Sequence, residues 1–233
     1  MKDMKYVVGI VGTPIRWDIE WSDGNLAEMK RLGFNTLQLN IAWGFRPGDE
    51  PLNLEDVLVT EGMENARERQ TTLRRSKISG RLKQCKKHGF RSIFHFGAPY
   101  NGEDGYLGKP LLNCVSDKEV RQRYVDLLFA LGEQIPGIDD ILVYTYDQDA
   151  WLCSEFGGCG RCFGVPLHER LPAFLDALAE AWWEISPDGV LWWEPWELSA
   201  GQVYETVKRV GAKNIGLSLH SNIGRSEERR VGK

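Results

Sequence analysis

The sequence lacks the signals of membrane-spanning, secreted and nucleic-acid-binding proteins. No apolar run comes near the ~20 residues that a helix needs to cross a bilayer, and no basic segment followed by an apolar segment opens the chain. Basic residues are not in excess, because 29 Lys and Arg stand against 33 Asp and Glu, for a net charge of -4. These absences predict a cytoplasmic protein that binds neither membranes nor nucleic acids.

Nucleotide-binding signatures are also missing. No Gly-x-Gly-x-x-Gly motif follows the first predicted strand, and no Walker motif occurs in the chain. Open sheets that bind nucleotides therefore gain no support from the sequence. What is present is 42% hydrophobic residues in a chain of 233, which is typical of a folded domain with a large core. An α/β barrel of roughly 250 residues can form one such domain.

Short apolar runs alternate with segments of helical periodicity along the chain. We predict strands at 6–11, 34–41, 91–96, 138–146, 190–194 and 214–219, and helices at 26–32, 66–88, 118–134, 167–185 and 200–210. A glycine stands at four of the helix-to-strand returns, at Gly33, Gly89, Gly137 and Gly189. Consecutive strand–helix units with right-handed crossovers form a parallel sheet. We expect an α/β fold, a (β/α)8 TIM-type barrel truncated after about strand six, with an open doubly wound sheet as the alternative.

The last nine residues, 225–233, differ from the rest of the chain. Their sequence, RSEERRVGK, resembles the in-frame translation of a common sequencing adapter. We therefore predict a single incomplete barrel domain over residues 1–224, followed by an artefactual tail at 225–233, in a gene fragment of metagenomic origin. An ordinary charged tail is the alternative.

Carboxylates, aromatic rings and amides follow the predicted strands at the ends where a barrel carries its active site. Asp147 and Asp149 after strand four, and Glu194 at the end of strand five, are the candidate catalytic residues. The two aspartates are two residues apart and share a face of an extended segment, although they could instead cap the loop. The candidate substrate-binding residues are Trp17, Asn40, Trp43, His95, Tyr146, Trp151, Trp196, Glu197 and His220.

This set of side chains matches the requirements of glycoside cleavage. One carboxyl group protonates the leaving oxygen, and a second acts as base or nucleophile. Tryptophan faces bind the apolar side of a sugar ring. Glu194 alternates with Trp192 and Trp196, and an apolar setting of that kind raises the pKa of a carboxyl group. A salt-bridged glutamate beside packed indoles is the alternative. The predicted partner is an oligosaccharide or glycoside, and the chemistry requires no cofactor.

The cysteines form a local cluster. Cys153, Cys159 and Cys162 make a Cys-x5-Cys-x2-Cys pattern, and His168 follows it. A Cys-x2-Cys pair is the usual half of a tetrahedral zinc site, to which His168 could supply the fourth ligand. Reduced packing thiols and a disulfide are the alternatives. A catalytic zinc is less favoured than a structural one, because carboxylates rather than histidines dominate the strand ends.

One stretch resembles a known group of proteins. The segment Tyr144-Thr-Tyr-Asp-Gln-Asp-Ala-Trp-Leu-Cys153, continued by Cys159-Gly-Arg-Cys162, resembles the strand-four region of glycoside-hydrolase-like barrels related to α-glucuronidases and family 20 hexosaminidases. The resemblance implies a barrel with an acidic residue after strand four and hydrolase activity. The adjacent Asp-Glu of the hexosaminidases is replaced here by Asp-Gln-Asp, which argues against their substrate-assisted chemistry. A non-catalytic sugar-binding barrel and a metal-dependent barrel hydrolase remain the alternatives.

Overall fold

The structure is a computed structural model, and it describes residues 5–12, 20–41, 47–101, 111–146 and 149–219. Strands and helices alternate along the chain. The strands are β1 (Val8–Ile10), β2 (Thr36–Gln38), β3 (Arg91–Gly97), β4 (Asp140–Tyr144), β5 (Leu191–Glu194) and β6 (Ile215–Leu217). The helices are α1 (Asp23–Arg31), α2 (Asn65–Lys87), α3 (Lys118–Gln134), α4 (Leu167–Ile185) and α5 (Ala200–Val207), with a short 3-10 helix at Leu54–Asp56. The tail at 225–233 lies outside the described residues, so its origin stays a prediction.

All six strands belong to one sheet whose spatial order is the order of the sequence, and every neighbouring pair is parallel. Sequential order with helical crossovers is the winding of a (β/α)8 barrel, whereas a doubly wound sheet reverses its order at a switch point. The predicted α/β fold of the TIM-barrel type is confirmed over these six strands, and the doubly wound alternative is wrong. Among the described helices, none is both long and apolar enough to cross a bilayer.

The two faces of the sheet differ in chemistry. Side chains alternate between faces along each strand, and paired residues of neighbouring parallel strands share a face. One face is apolar and packs in the main core with the helices through Leu37, Phe94, Phe96, Ile141, Val143, Leu191 and Trp193. The opposite face, which corresponds to the barrel interior, carries Gln38, Arg91, His95, Asp140, Tyr144, Trp192 and Glu194. Most of the polar strand side chains therefore lie on the inner face, although Ser92 shares the apolar face with Leu37.

Local sequence signals explain where the helices begin and end. The side chains of Ser22, Asp117 and Ser199 accept hydrogen bonds from the first backbone N–H groups of α1, α3 and α5. Gly33 and Gly89, which follow α1 and α2, have φ values of 96° and 68°, where a side chain would be strained. These left-handed residues end the helices and return the chain to the next strand.

A buried ion pair ties three strands together at their amino-terminal ends. Asp140, which is fully buried, accepts hydrogen bonds from Arg91 Nε at 2.8 Å and Arg91 Nη2 at 2.7 Å. The Val190 N–H group, directly before β5, donates to the same carboxylate at 2.8 Å. The adjacent Asp139 accepts from the backbone N–H and the hydroxyl group of Ser92. The two carboxylates therefore fix β4 between β3 and β5.

We expect Asp140→Asn to lower the free energy of unfolding by about 3 kcal/mol, because it leaves the Arg91 guanidinium without its charged partner in a mostly buried site. Denaturation in urea measures the change. Asp188→Asn, at an exposed position in the turn before β5, is the matched control. The free energy of unfolding of this variant should stay within about 0.5 kcal/mol of the parent value. Equal effects of the two substitutions would contradict the role given to Asp140.

A second buried carboxylate attaches the segment after β2 to α2. Glu50, which is 1% exposed, accepts hydrogen bonds from both terminal nitrogens of Arg81 at 2.8 and 2.6 Å and from the Ile41 N–H group at 3.1 Å. Lys77 Nζ lies 2.7 Å from the same carboxylate. Burial alone would raise the pKa of Glu50, but the hydrogen bonds and charges of Arg81 and Lys77 outweigh it and hold the pKa below its usual value. Ionised Glu50 therefore stabilises the folded segment.

The sign of this pKa shift sets the pH dependence. Because the folded-state pKa is lowered, the stabilisation is fully present above the usual value of 4.5 and is lost as the pH falls through the folded-state pKa. We expect Glu50→Gln to be less stable than the parent at neutral pH and to lose less stability on acidification. Urea denaturation across an acidic pH series measures both effects. Glu180→Gln, exposed on α4, is the control, and a Glu50→Gln slope equal to that of this control would reject the prediction.

Candidate functional site

The carboxyl ends of β3, β4 and β5 bring three polar side chains together on the inner face of the sheet. His95 of β3 and Glu194 of β5 are both buried, and His95 Nε2 lies 3.4 Å from Glu194 Oε2. Tyr144, on the strand between them, packs edge-on against the imidazole, with the ring centroids 5.2 Å apart. The structure therefore joins two of the predicted site residues and adds Tyr144, which the sequence places only at a strand end.

A glycine on β3 makes room for the tyrosine ring. Gly97 is paired with Tyr144 across the two strands, and a Cβ atom at Gly97 would lie 2.5 Å from the phenol oxygen. The ring also packs with Leu52 and Ala150, which come from the segments after β2 and β4. A large aromatic ring can therefore occupy the centre of the site only because the paired position has no side chain.

Asn40, one of the predicted substrate-binding residues, is buried at the end of β2, where its side chain bonds to backbone groups; its role in substrate binding stays a prediction. It is 1% exposed, and its side-chain amide donates to the carbonyl groups of His95 at 2.7 Å and Pro51 at 3.0 Å. Its Oδ1 accepts the His95 N–H group at 3.0 Å. Both amide hydrogens are thus used within the protein. Asn40 holds the end of β2 against β3 and thereby fixes the backbone of His95.

The segment after β4 carries the second candidate carboxylate. The Tyr146 N–H group donates to the Ala150 carbonyl at 2.6 Å, and Tyr146 has a φ of 71°. The ring of Tyr146 packs edge-on against Trp151 at 5.6 Å. Asp149 is half-buried next to Ala150. Burial is the largest cause that raises the pKa of Tyr100, and the charge of Asp149 is the second. Its carboxylate therefore acts on the segment that follows β3.

Asn101 links the segments after β3 and β4. Its backbone N–H group donates to the Asp149 carbonyl at 2.7 Å, and its side-chain amide donates to the carbonyl groups of Asn113 at 3.0 Å and Trp151 at 2.8 Å. The Asn113 N–H group returns a hydrogen bond of 2.8 Å to Asn101 Oδ1. Asn101 therefore holds the backbone at Asp149 through its own N–H group and at Trp151 through its side chain. The sequence gives no direct signal for this role.

The tryptophans around β5 lie on opposite faces. Trp192 shares the inner face with Glu194 and packs edge-on against Tyr6 at 4.9 Å, towards the amino-terminal end of the sheet. Trp193 is buried among the helices, and its Nε1 donates to Thr145 Oγ1 at 2.9 Å. The His95 imidazole is thus a close neighbour of the Glu194 carboxylate, which the sequence pattern places between indoles alone.

Other predicted contacts lie around this centre. Tyr146, Trp151 and Trp196 are half-buried, while Glu197, three residues after the end of β5, is exposed and has a φ of 58°. Their substrate-binding roles stay predictions. Asp147, Trp17, Trp43 and His220 lie outside the described residues.

Four cysteines from two neighbouring segments meet beside this rim. Cys114 follows β3, and Cys153, Cys159 and Cys162 lie between β4 and α4; the four sulfur atoms all lie within 4.8 Å of one another. None of the four forms a disulfide in this structure. The group has the composition of a metal site. The group includes Cys114, because parallel neighbours bring the segments after β3 and β4 side by side, and it does not include His168, whose role as the fourth ligand stays a prediction.

The thiols of this group influence one another strongly. The pKa of Cys114 is lowered to about 4, mainly because the Cys153 thiol donates a hydrogen bond to it, with further donation from Cys162 and the Ser116 N–H group against the effect of burial. The pKa of Cys153 is raised by that same hydrogen bond and by burial. The cluster therefore favours a thiolate at Cys114, and thiolates are the form of cysteine that binds metals.

Comparison with known proteins shows similarity at the level of solved structures. No family model and no curated protein matches the chain. A family GH13_31 enzyme is 12% identical, with 91% of this chain and 51% of that chain covered and a TM-score of 0.48. A glycoside hydrolase family 5 enzyme from Prevotella bryantii, in complex with a xyloglucan tetradecasaccharide, is 12% identical, with 84% and 53% covered and a TM-score of 0.49. D-psicose 3-epimerase is 14% identical, with 89% and 62% covered and a TM-score of 0.47. The chain thus spans about half the length of the first two, and likeness of this size carries no argument about activity.

Proposed function

We propose that this protein is a carbohydrate-active enzyme that hydrolyses glycosidic bonds with a pair of carboxyl groups. The observation that carries the proposal is the Glu194 carboxyl group, 6% exposed at the carboxyl end of β5, with His95 Nε2 at 3.4 Å. A buried carboxyl group beside a titratable imidazole is suited to proton transfer. In this proposal Glu194 protonates the leaving oxygen of the substrate.

The second carboxyl group comes from the segment after β4. Asp149 is half-buried there, and its backbone carbonyl accepts a hydrogen bond from the Asn101 N–H group at 2.7 Å. We assign it the role of nucleophile or general base, with Asp147 as the alternative two residues earlier. The distance between the reacting carboxyl groups sets the stereochemistry, because about 5 Å favours retention and about 6.5–9.5 Å leaves room for the water of an inverting reaction.

His95 and Tyr144 complete the proposed centre. The imidazole fixes the orientation of the Glu194 carboxylate, and the edge-on ring of Tyr144 limits the rotation of the imidazole. The paired rings of Tyr146 and Trp151 supply an aromatic surface near Asp149 for the apolar side of a sugar. The substrate class that fits these groups is an oligosaccharide or glycoside.

Catalysis by paired carboxyl groups uses no metal. In this proposal a zinc ion in the cysteine cluster has a structural role, since four sulfur ligands complete a tetrahedral site and leave no position for substrate. That closed donor set favours the carboxylate mechanism over a metal-dependent barrel hydrolase that uses these cysteines.

We expect Glu194→Gln and Asp149→Asn each to reduce kcat on an activated aryl glycoside by about 10²- to 10⁴-fold, because the amide keeps the shape of the side chain and removes its proton chemistry. Asp147→Asn, tested in parallel, decides between the two aspartates. Steady-state kinetics measure kcat and KM, and circular dichroism checks folding. Glu184→Gln, exposed on α4, is the matched control and should leave both constants unchanged.

Two outcomes would contradict the proposed hydrolysis. Near-parental kcat in all three amide variants would reject the carboxylate mechanism. If the parent hydrolyses none of a broad panel of glycosides yet binds oligosaccharides in calorimetry, the protein is a non-catalytic sugar-binding barrel.

We expect Trp196→Ala to separate binding from chemistry. Trp196 is half-buried two residues after Glu194, where an indole can stack on a sugar ring without taking part in proton transfer. The substitution should therefore raise KM by about tenfold and change kcat much less. A loss confined to kcat would show that Trp196 acts on the reacting groups instead.

A further inference from the structure

We propose that Cys114, Cys153, Cys159 and Cys162 bind one structural zinc ion, which joins the segment after β3 to the segment after β4. This inference concerns a metal site and does not depend on the proposed hydrolase activity. It assigns the fourth ligand to Cys114, which lies 48 residues before Cys162 in the sequence.

The sulfur positions match the dimensions of a tetrahedral zinc site. A Zn–S distance of about 2.3 Å places the sulfur ligands about 3.8 Å apart. Cys114 Sγ lies 3.3 Å from Cys162 Sγ and 3.9 Å from Cys159 Sγ, and all four sulfurs are within 4.8 Å of one another. The observed separations therefore lie close to the spacing that a tetrahedral zinc ion requires.

The backbone around the cysteines also has the form of a metal knuckle. The Cys162 and Phe163 N–H groups both donate to the Cys159 carbonyl, at 3.0 and 2.9 Å, and this turn brings the two thiols to the same side. The Ser116 N–H group is hydrogen-bonded to Cys114 Sγ, and Ser116 Oγ lies 3.4 Å from Cys162 Sγ. Donors of this kind stabilise metal-bound thiolates and fix their orientation.

A buried arginine beside the sulfurs supplies an independent observation. Arg170 of α4 is 5% exposed and donates from Nη2 to the Cys153 carbonyl at 2.8 Å. Its Nε and Nη1 atoms are buried and have no hydrogen-bond partner among the described residues. A buried guanidinium group with N–H donors that bond to no acceptor is costly. Four thiolates around one Zn²⁺ carry a net charge of about -2, which would compensate Arg170, whereas four neutral thiols would not.

The segment between β4 and α4 needs such a link. It contains no helix or strand within 151–166, and its aromatic side chains Phe156 and Phe163 are 84% and 69% exposed. Cys153 and Cys162 are instead buried with Cys114 in a small cluster of their own. Sulfur–metal bonds would therefore replace the apolar contacts that the segment does not make.

The zinc ion would also fix the rim around Asp149. Cys114 directly follows Asn113, and Cys153 lies two residues after Trp151; both of those residues are hydrogen-bonded to the Asn101 side chain. If the proposed function holds, zinc loss should therefore weaken substrate binding as well. The test of the metal site itself uses no activity measurement, so the two proposals can fail separately.

The experiment measures zinc in the purified full chain, reconstituted with Zn²⁺ and passed through a desalting column. We expect about one equivalent of zinc, and after exchange with Co²⁺ the absorption spectrum of a tetrahedral four-thiolate site. Cys114→Ser should weaken zinc affinity by more than about 100-fold, and Arg170→Met by about 10- to 100-fold. His168→Ala and Cys85→Ala, the latter at a buried cysteine of α2 outside the cluster, are the controls and should keep full zinc content.

Less than about 0.2 equivalents of zinc in the reconstituted parent would overturn the proposal. So would loss of zinc in His168→Ala with retention in Cys114→Ser. If Cys114→Ser does not fold, the parent alone decides the question through limited chymotrypsin digestion with and without a chelator. Cleavage at Phe156 or Phe163 should appear on chelation and disappear when Zn²⁺ is restored, and a digestion pattern unchanged by chelation would reject a structural zinc.

Discussion

The parallel register of β3, β4 and β5 is the constraint on which the candidate site depends. It aligns Gly97, Tyr144 and Glu194 in one row across the inner face, two residues further along β3 than His95. A shift of β5 by one residue would move Glu194 into the apolar layer under the helices and bring Trp193 into the site. Asp140 at the opposite end of the strands opposes such a shift, because its carboxylate accepts hydrogen bonds both from Arg91 of β3 and from the Val190 N–H group directly before β5. The hydrogen bonds at the amino-terminal ends of the strands therefore keep Glu194 in the candidate site at their carboxyl ends.

The two ends of the sheet are stabilised in different ways. At the amino-terminal end, Asp139 and Asp140 bind residues within or next to the strands, so the ladder itself is reinforced. At the carboxyl-terminal end, the irregular segments are joined by single side chains such as Asn40 and Asn101, which bond to backbone groups. Hydrogen bonds of this kind position a loop without requiring a large apolar core beneath it. The rim can thus hold polar side chains in defined positions outside the main apolar core.

The sequence predicts the fold well because its signals are local. The bounds of α3 and α4 are those expected from helical periodicity, and the strands lie within their predicted segments apart from the last residue of β3. The site is less predictable because it depends on contacts between strands. Asn40 resembles a substrate ligand at a strand end, and only its hydrogen bonds to His95 show its structural role. Cys114 has no neighbouring cysteine in the sequence, so its place in the cluster becomes visible only once adjacent loops are known.

The close approach of Gly97 and Tyr144 has a consequence for how this site can change in evolution. A methyl group at position 97 would overlap the phenol ring, so the two positions share a fixed volume rather than varying one at a time. A lineage that acquires a side chain at 97 must first reduce the ring at 144, and the intermediate with both small residues would leave a cavity beside His95. Homologous sequences should therefore show covariation between these two positions, with glycine accompanying the aromatic residue and larger residues accompanying smaller ones.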